Sequence, residues 1–176
     1  MNSSETMEIP EEFEFSYEDG VLEIGKEGES VRKKLDHAMV EVETSGNELR
    51  FVPLSEKRDV TSVVGTFRSH AENMMQGLKD KHVYRLKGVY AHFPMTIDRQ
   101  GDEIHIENFM GERADRVVEI MDGVEVEIEG DDVTMKSADK EAVAQTAARL
   151  EQVCFKGDRD PRTFQDGVYI IEGDKE

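Results

Sequence analysis

An internal duplication is the sequence feature that most constrains how this chain can fold. Matching segments occur twice in the same order: residues 40–42 with 124–126, 44–47 with 128–131, 49–51 with 133–135, and 65–72 with 145–152. The period of about 80 residues is too long for a solenoid repeat and has the size of a small domain. The sequence therefore predicts two tandem copies of one domain, an N-terminal domain at 1–82 and a C-terminal domain at 83–176.

The pattern of apolar residues predicts the same elements in each copy. Short alternating runs ended by Gly, Asn or Asp indicate strands, at residues 21–24, 40–42, 49–51, 84–91, 103–107, 117–120, 124–128, 133–135 and 168–170. Apolar residues at three- and four-residue steps predict one helix per copy, over 60–78 and 142–154. Asp59 is the expected N-cap of the first helix, and Ser137 or Asp139 that of the second. The predicted fold class is α+β, with each copy an antiparallel or mixed sheet packed on one helix.

Charge is distributed unevenly along the chain. The net charge is −18, from 40 acidic and 22 basic residues. Residues 1–49 and 100–148 carry −10 each, whereas 50–99 carry +4 and 149–176 carry −2. Two interpretations stay open: a protein from a high-salt cytoplasm with a carboxylate-coated free surface, or an acidic protein that binds a basic partner. The first is favoured because the segments spared of acid also carry the unusual polar motifs.

Several functional classes are disfavoured. No apolar run approaches the roughly 18–20 residues of a membrane span, and the N-terminus lacks the character of a signal peptide. The single cysteine, Cys154, is expected to be a buried apolar side chain, and His105 is expected to face solvent. Phosphate-binding glycine loops, nucleophile elbows and paired metal-binding histidines are absent. We predict a cytosolic protein that is not an enzyme and has no cofactor, no metal site and no membrane partner, with residues 1–8 mobile.

The first segment that packing alone does not explain is the start of the first helix. Gly65 within a helix costs about 1 kcal/mol relative to Ala, which packing or a close partner should justify. The polar face of this helix would present four side chains, Thr66, Arg68, Ser69 and Asn73. A merely solvated face is the alternative interpretation.

The second such segment is the tail after the second helix. Lys156, Arg159 and Arg162 surround Pro161, and Phe164, Gln165, Asp166 and Gly167 follow. Basic side chains on a stiff loop, with an aromatic ring and an amide beside them, suit phosphate and sugar contacts on a folded RNA. The alternative is a loop that only closes the sheet, and the two roles are compatible because a strand can anchor a binding loop.

Five motifs connect the chain to a known family. They are Gly65-Thr-x-x-Ser69-His-x-x-Asn73-Met74, Tyr90-Ala-His-Phe-Pro-Met95, Ile106-Glu-Asn-Phe-x-Gly-Glu112, Gln145-Thr-Ala-Ala148 and Phe164-Gln-Asp-Gly-Val-Tyr-Ile170. With the duplicated fold, these motifs resemble the archaeal and eukaryotic type of large-subunit ribosomal protein six, from about residue 9 to residue 171. The acidity resembles that of haloarchaeal members.

The resemblance implies a structural constituent of the large ribosomal subunit that acts in translation. It implies a monomer within the cytoplasmic ribosome that binds large-subunit ribosomal RNA near the sarcin–ricin loop, beside other large-subunit proteins and with translation factors nearby. The implied RNA contacts are Lys156, Arg159, Arg162, Phe164, Gln165, Asp166 and Gly167 in the tail, and Thr66, Arg68, Ser69 and Asn73 on the first helix. The alternative function is an acidic protein-interaction module that uses the sheet faces.

Overall fold

The computed structural model describes residues 4–157, 159–160 and 162–173. The chain divides into two compact units, Met1–Asp80 and Lys81–Glu176. The division lies two residues before the predicted one, and His82 is the first residue of a strand in the second unit.

Each unit contains one long helix and several short strands. The first unit holds β1 (Glu5–Glu8), β2 (Glu14–Glu18), β3 (Val21–Lys26), β4 (Glu29–Lys34), β5 (Val40–Ser45), β6 (Glu48–Pro53) and α1 (Arg58–Lys79). The second holds β7 (His82–Val89), β8 (Thr96–Gln100), β9 (Glu103–Glu107), a 3₁₀ turn (Phe109–Gly111), β10 (Arg116–Glu119), β11 (Glu125–Glu129), β12 (Asp132–Ser137), α2 (Lys140–Val153) and β13 (Gly167–Glu172).

The two units repeat one topology. The first unit has sheets of order β1-β6-β5 and β2-β3-β4, and the second has β7-β12-β11 and β8-β9-β10, so each strand has its counterpart. Every pairing among the described strands is antiparallel. The second unit adds β13 beside β7, at the edge of its larger sheet. The predicted α+β duplication is confirmed.

The prediction of one sheet per copy is wrong in detail, because each unit contains two small sheets. α1 packs against β1, β5 and β6 of one sheet and β3 and β4 of the other, and α2 likewise packs against strands of both sheets. β1, β2, β4 and β8 were not predicted from the sequence; in each, exposed polar residues outnumber buried ones. Such edge strands are stabilised by pairing with a neighbouring strand, so a short apolar pattern, such as the alternating Phe15 and Tyr17 of β2, is enough.

Two local expectations also need correction. Residues Glu5–Glu8, expected to be mobile, pair with β6 as β1, while residues 1–3 lie outside the described residues. His105 does not face solvent: its side chain is 16% exposed and its Nε2 lies 3.1 Å from Glu103 Oε2. Its Nδ1 is buried, 3.6 Å from Asp115 Oδ2. Side chains near the ring, among them Glu103 and Asp115, leave His105 half-buried, which alternation within β9 alone could not reveal.

The helices bury the predicted stripes but differ in how they begin. α1 starts at Arg58 after Lys57, so Asp59 is not its N-cap; instead, the Asp59 carboxylate accepts a hydrogen bond from Val60 N at 3.0 Å. α2 is capped by Asp139, as predicted, whose Oδ1 accepts from Glu141 N at 2.9 Å and Ala142 N at 3.3 Å. A carboxylate there satisfies backbone donors and complements the helix dipole.

The apolar faces of both helices meet the sheets in two separate cores. In the first unit, Leu49 and Phe51 are fully buried, and the Phe51 ring packs edge-on to Phe67 at 6.1 Å. In the second unit, Ile104, Met135 and Leu150 are fully buried. Cys154 is 4% exposed in this core, which confirms its predicted apolar role. Burial raises the pKa of its thiol, so the reactive thiolate is disfavoured.

Candidate nucleic-acid interface

The tail loop, defined as residues 155–166, connects α2 to β13 and is closed by hydrogen bonds at its base. The Arg116 guanidinium donates to Val153 O at 2.5 Å and to Phe155 O at 3.0 Å, which fixes the end of α2. The Lys156 ammonium donates to Phe164 O across the loop. The Tyr169 hydroxyl donates to Gln165 O at 2.7 Å. The loop is therefore tied to the sheet on both sides.

Asp160 organises the middle of the tail loop. Its carboxylate accepts from Arg162 N at 2.9 Å, and its carbonyl accepts from Thr163 N at 3.0 Å and Phe164 N at 2.9 Å. This is the side-chain-to-backbone bonding typical of Asp in a turn. The predicted stiffening role of Pro161 lies outside the described residues, as does Asp158. Because Asp160 bonds its own backbone, the acidic residue helps to build the loop that presents the basic ones.

Two cations of the tail loop lie against aromatic rings. Arg159 Cζ is 5.3 Å from the centroid of the Phe164 ring, and Arg159 Nη1 is 3.7 Å from Met110 Sδ. Lys156 Nζ is 5.8 Å from the centroid of the Tyr169 ring and 3.2 Å from its hydroxyl oxygen. Attraction between cation and ring holds such side chains in place at about 0.5–1 kcal/mol when exposed. The positive charges are consequently held at defined positions.

An open groove of about 810 Å³ lies beside this loop. Cys154, Val168 and Tyr169 contribute apolar surface, while Lys156 and Arg159 line it with positive charge. The Phe155 side chain, also in the lining, is 74% exposed. The groove thus combines apolar and aromatic surface with two cations.

The remaining tail residues divide into surface and buried groups. Arg162, Phe164 and Gln165 are exposed, and Gln165 Nε2 donates to Arg162 O at 3.4 Å. Asp166 is only 6% exposed and Gly167 is buried as the first residue of β13. Asp166 and Gly167 therefore lie where the loop joins the sheet rather than at its surface.

The predicted polar face of α1 lies in the first unit, and some of its side chains have structural partners. Arg68 Nε donates to Glu72 Oε1 at 2.8 Å and its Nη1 to Glu5 Oε2 at 3.3 Å, which links α1 to β1. The hydrogen bond with Glu72, and then that with Glu5, raises the pKa of Arg68. Thr66 donates to Ser62 O at 3.0 Å. Ser69 is exposed and Asn73 is half-buried.

Packing within the protein does not explain why position 65 is a glycine. A Cβ built on it would meet no atom within 4 Å outside its own helix backbone. The roughly 1 kcal/mol that a helical glycine costs is therefore not offset by a contact within the described protein. The α1 polar face accordingly has a position where another molecule could approach the backbone.

Sequence reasoning missed three side chains of this surface: Phe155, Tyr169 and Met110. Phe155 and Tyr169 line the groove, and Met110 contacts Arg159 from a turn 49 residues away in sequence. Phe155 could have been predicted from the sequence, because an aromatic residue directly precedes the basic Lys156. Met110 had none, because its contact depends on the folding of the turn after β9.

Residues 4–157, 159–160 and 162–173 form neither a membrane-spanning helix nor a cluster of metal ligands. Within those ranges no helix has the length and apolar character to span a membrane. In the same part of the chain, no three His, Cys, Asp or Glu side chains are grouped to hold a metal ion.

Fold and surface together define a duplicated α+β protein that displays a polar and aromatic loop surface. The family model described as "Ribosomal protein L6" matches residues 93–167. Large ribosomal subunit protein uL6 of Methanospirillum hungatei is 36% identical over 171 residues, covering 97% of each chain. The uL6 protein of Haloarcula marismortui is 40% identical over 93% of this chain and 92% of its own. That of Archaeoglobus fulgidus is 38% identical over 94% and 87%, respectively.

The chain belongs to the ribosomal protein L6 family, in its archaeal form. It is thus a structural constituent of the large ribosomal subunit, where it takes part in translation among ribosomal RNA and other ribosomal proteins. Family membership confirms the prediction that the protein is not an enzyme.

Proposed function

We propose that the tail loop is the principal contact of this protein with large-subunit ribosomal RNA, near the sarcin–ricin loop and the region where translation factors bind. The protein would act there as a monomer. One observation carries the proposal: in a chain of net charge −18, Lys156 and Arg159 are held on aromatic rings beside an open groove. The location near the sarcin–ricin loop rests on the family resemblance.

The residue types on the loop match what RNA offers. Arg159 and Arg162 can each pair with two phosphate oxygens through the planar guanidinium. The exposed rings of Phe155 and Phe164 offer faces on which unpaired bases stack. Lys156 already donates within the protein to Phe164 O, so its first role is to hold the loop in shape for RNA.

The acidity of the chain is compatible with RNA binding if the protein works at high salt. The Debye length is about 3 Å at molar salt, against about 30 Å at 0.01 M. Carboxylates away from the contact surface then repel RNA very little, and hydrogen bonds, stacking and shape determine affinity. We expect affinity to depend weakly on salt in the molar range. A steep fall, with the slope of many phosphate contacts, would contradict this account.

A second contact is proposed on α1, through Thr66, Arg68, Ser69 and Asn73. The open space at Gly65 supports it, since a backbone without a side chain permits close approach. Arg68 is paired with Glu5 and Glu72, so it would contribute less charge than its type suggests.

The test is binding of the purified protein to a large-subunit ribosomal RNA fragment carrying the sarcin–ricin region. An unrelated folded RNA of equal length is the comparison, and both are measured in molar potassium chloride. Arg159→Ala and Arg162→Ala should each weaken binding to the fragment by about 1–3 kcal/mol, the worth of a charged hydrogen-bonded contact.

The matched control is the double variant Arg32→Ala/Arg50→Ala. These exposed arginines lie on β4 and β6 of the first unit, and their removal changes the net charge by the same two units. If the control weakens binding as much as Arg159→Ala/Arg162→Ala, the effect is general charge and the tail site is wrong. Equal binding to both RNAs would favour the alternative of an acidic protein-interaction module.

A further inference from the structure

Exposed apolar side chains are concentrated in two stretches of the second unit. Of the ten large apolar residues exposed among the described ones, seven lie at residues 89–93 or 155–171. The first stretch opens the aromatic loop, defined as residues 90–94, in which Tyr90 is 40% and Phe93 47% exposed. The proposed tail contact accounts for Phe155 and Phe164 in the second stretch, whereas Ile171 lies on the edge strand β13. The aromatic loop is left unexplained.

Strand register places the aromatic loop beside the tail loop. Val89, the last residue of β7, is paired with Gly167, the first residue of β13. Because β7 and β13 are antiparallel, Tyr90 leaves the sheet at the end where Asp166 enters it. Two loops that are 60 or more residues apart in sequence therefore emerge side by side.

The aromatic loop packs on the turn that follows β9. The Phe93 ring lies over Gly111, where an added Cβ would stand 3.1 Å from Phe93 Cε1. Asn108 Nδ2 donates to Pro94 O at 2.8 Å, and Met95, directly after the loop, is 5% exposed. The rings are thus exposed although the backbone beneath them is fixed.

The supporting turn has an unusual backbone. Asn108 and Met110 have φ of 56° and 50°, in the left-handed region that non-glycine residues rarely occupy. Such conformations persist where surrounding contacts impose them, and they are more frequent at functional sites. Here the imposed shape brings Gly111 under Phe93 and Met110 towards Arg159.

Contacts through this turn join the two loops into one surface. Phe93 rests on Gly111, and Sδ of the preceding Met110 lies 3.7 Å from Arg159 Nη1. Arg159 Cζ then lies over one face of the Phe164 ring, 5.3 Å from its centroid. An aromatic ring, a cation and a second aromatic ring follow one another across this surface.

Charge indicates which partner fits the aromatic loop. None of the 40 carboxylates of the chain falls within residues 88–97. Glu112, the nearest acid to Gly111 in sequence, is paired with the Arg116 guanidinium through bonds of 2.9 and 2.6 Å. Arg113, two residues after Gly111, is exposed. An aromatic loop that carries no carboxylate of its own and has Arg159 beside it suits a nucleic acid base and its phosphate.

We infer that Tyr90 and Phe93 form a stacking platform for an unpaired nucleotide of the RNA that the tail loop binds. This inference rests on the proposed function and extends it to a second loop. Stacking needs only a base face, so the platform would tolerate any base, while the cations of the tail contact the flanking phosphates.

The test uses the full chain and the same ribosomal RNA fragment, with 2-aminopurine placed in turn at each unpaired position. Phe93→Leu should weaken binding about 5- to 150-fold, the range for loss of one stacked base. Phe93→Trp should bind within about threefold of the unchanged protein because it retains an aromatic face. Fluorescence at one position should fall when the unchanged protein or Phe93→Trp binds, and not with Phe93→Leu.

The control is Leu54→Ala, an apolar residue of the first unit that is 48% exposed, against 47% for Phe93. Tyr90→Leu provides a second variant that leaves the Phe93 contact with Gly111 intact, in case Phe93→Leu lowers stability. If both leucine variants bind like the unchanged protein while Arg159→Ala/Arg162→Ala does not, the platform is refuted and the tail contact stands. If the unchanged protein does not select the fragment, the proposed function fails and the platform fails with it.

Discussion

Replacing Arg116 should test how the base of the tail loop is built. Its guanidinium makes two hydrogen bonds to Glu112, at 2.9 and 2.6 Å, and two to the carbonyls of Val153 and Phe155, at 2.5 and 3.0 Å. Its Cζ also lies 4.3 Å from the centroid of the buried Phe109 ring. Arg116→Met keeps a side chain of similar length on that ring but removes all four hydrogen bonds.

The expected loss of unfolding free energy is about 2–4 kcal/mol. A hydrogen bond to a charged group contributes about 1.5–3 kcal/mol, and the two carbonyls at the end of α2 each lose one. The cation–ring contact adds about 0.5–1 kcal/mol. Water can replace part of the lost hydrogen bonding, because the Arg116 side chain is 24% and that of Glu112 42% exposed. The estimate is therefore below the simple sum.

The pH dependence of this loss has a defined sign. The hydrogen bond from Arg116 lowers the pKa of Glu112 below its ordinary value of 4.5. A carboxylate whose folded pKa is depressed stabilises the protein above its unfolded pKa and loses that contribution as pH falls through the folded value. The stability difference between the unchanged protein and Arg116→Met should thus be largest above pH 4.5 and narrow below it.

The assay is urea unfolding in molar potassium chloride, followed by circular dichroism at a series of pH values. Arg113→Met is the matched control, since Arg113 is an exposed arginine three positions away, and it should change stability by no more than about 0.5 kcal/mol. The reasoning is refuted if Arg116→Met costs no more than Arg113→Met, or if the difference between Arg116→Met and the unchanged protein is constant with pH.

Three further predictions concern backbone and capping positions. Gly65→Ala should stabilise the isolated protein by about 1 kcal/mol, because the new methyl meets nothing, and should weaken ribosomal RNA binding if RNA approaches α1 there; thermal unfolding and RNA titration measure the two effects. Gly111→Ala should lower the free energy of unfolding, measured in urea, by about 2–4 kcal/mol, because φ is +78° and the new methyl would crowd the Phe93 ring. Gly130→Ala, at φ +63° with open space around it, should lower it by only about 1–2 kcal/mol. Asp139→Ala should cost about 1 kcal/mol by the same assay, and an unchanged midpoint would show that this cap is dispensable.

The sequence predicted the features of this fold that depend on local pattern. The stripe of α1 and the cap of α2 at Asp139 follow from three- and four-residue spacing and from the chemistry of one carboxylate. The hairpin turns at Gly46, Gly101 and Gly130 follow from residues that adopt positive φ, as all three glycines do. The duplication was recognisable because both copies keep these local patterns in the same order.

Features that depend on a partner distant in sequence were not predictable. β4 has little apolar pattern, with Val31 its one buried residue, and it exists as a strand because β3 pairs with it. His105 lies on the face of β9 opposite the buried Ile104 and Ile106, as alternation predicts, but its side chain is only 16% exposed, with oxygens of Glu103 and Asp115 at 3.1 and 3.6 Å from its ring nitrogens. The edge position of β13 depends on pairing with β7 across 78 residues, from Val89 to Gly167.

The same distinction applies to the candidate RNA surface. The sequence by itself determined which residue types the tail contains, which segments are spared of acid and, through its motifs, which family the chain belongs to. Only the tertiary structure decided that Lys156 bonds Phe164 O, that Asp166 is buried, and that Phe93 rests on Gly111 beside Arg159. Helical and strand periodicity describe contacts with near neighbours in sequence, whereas each of these positions depends on how separate segments pack in space.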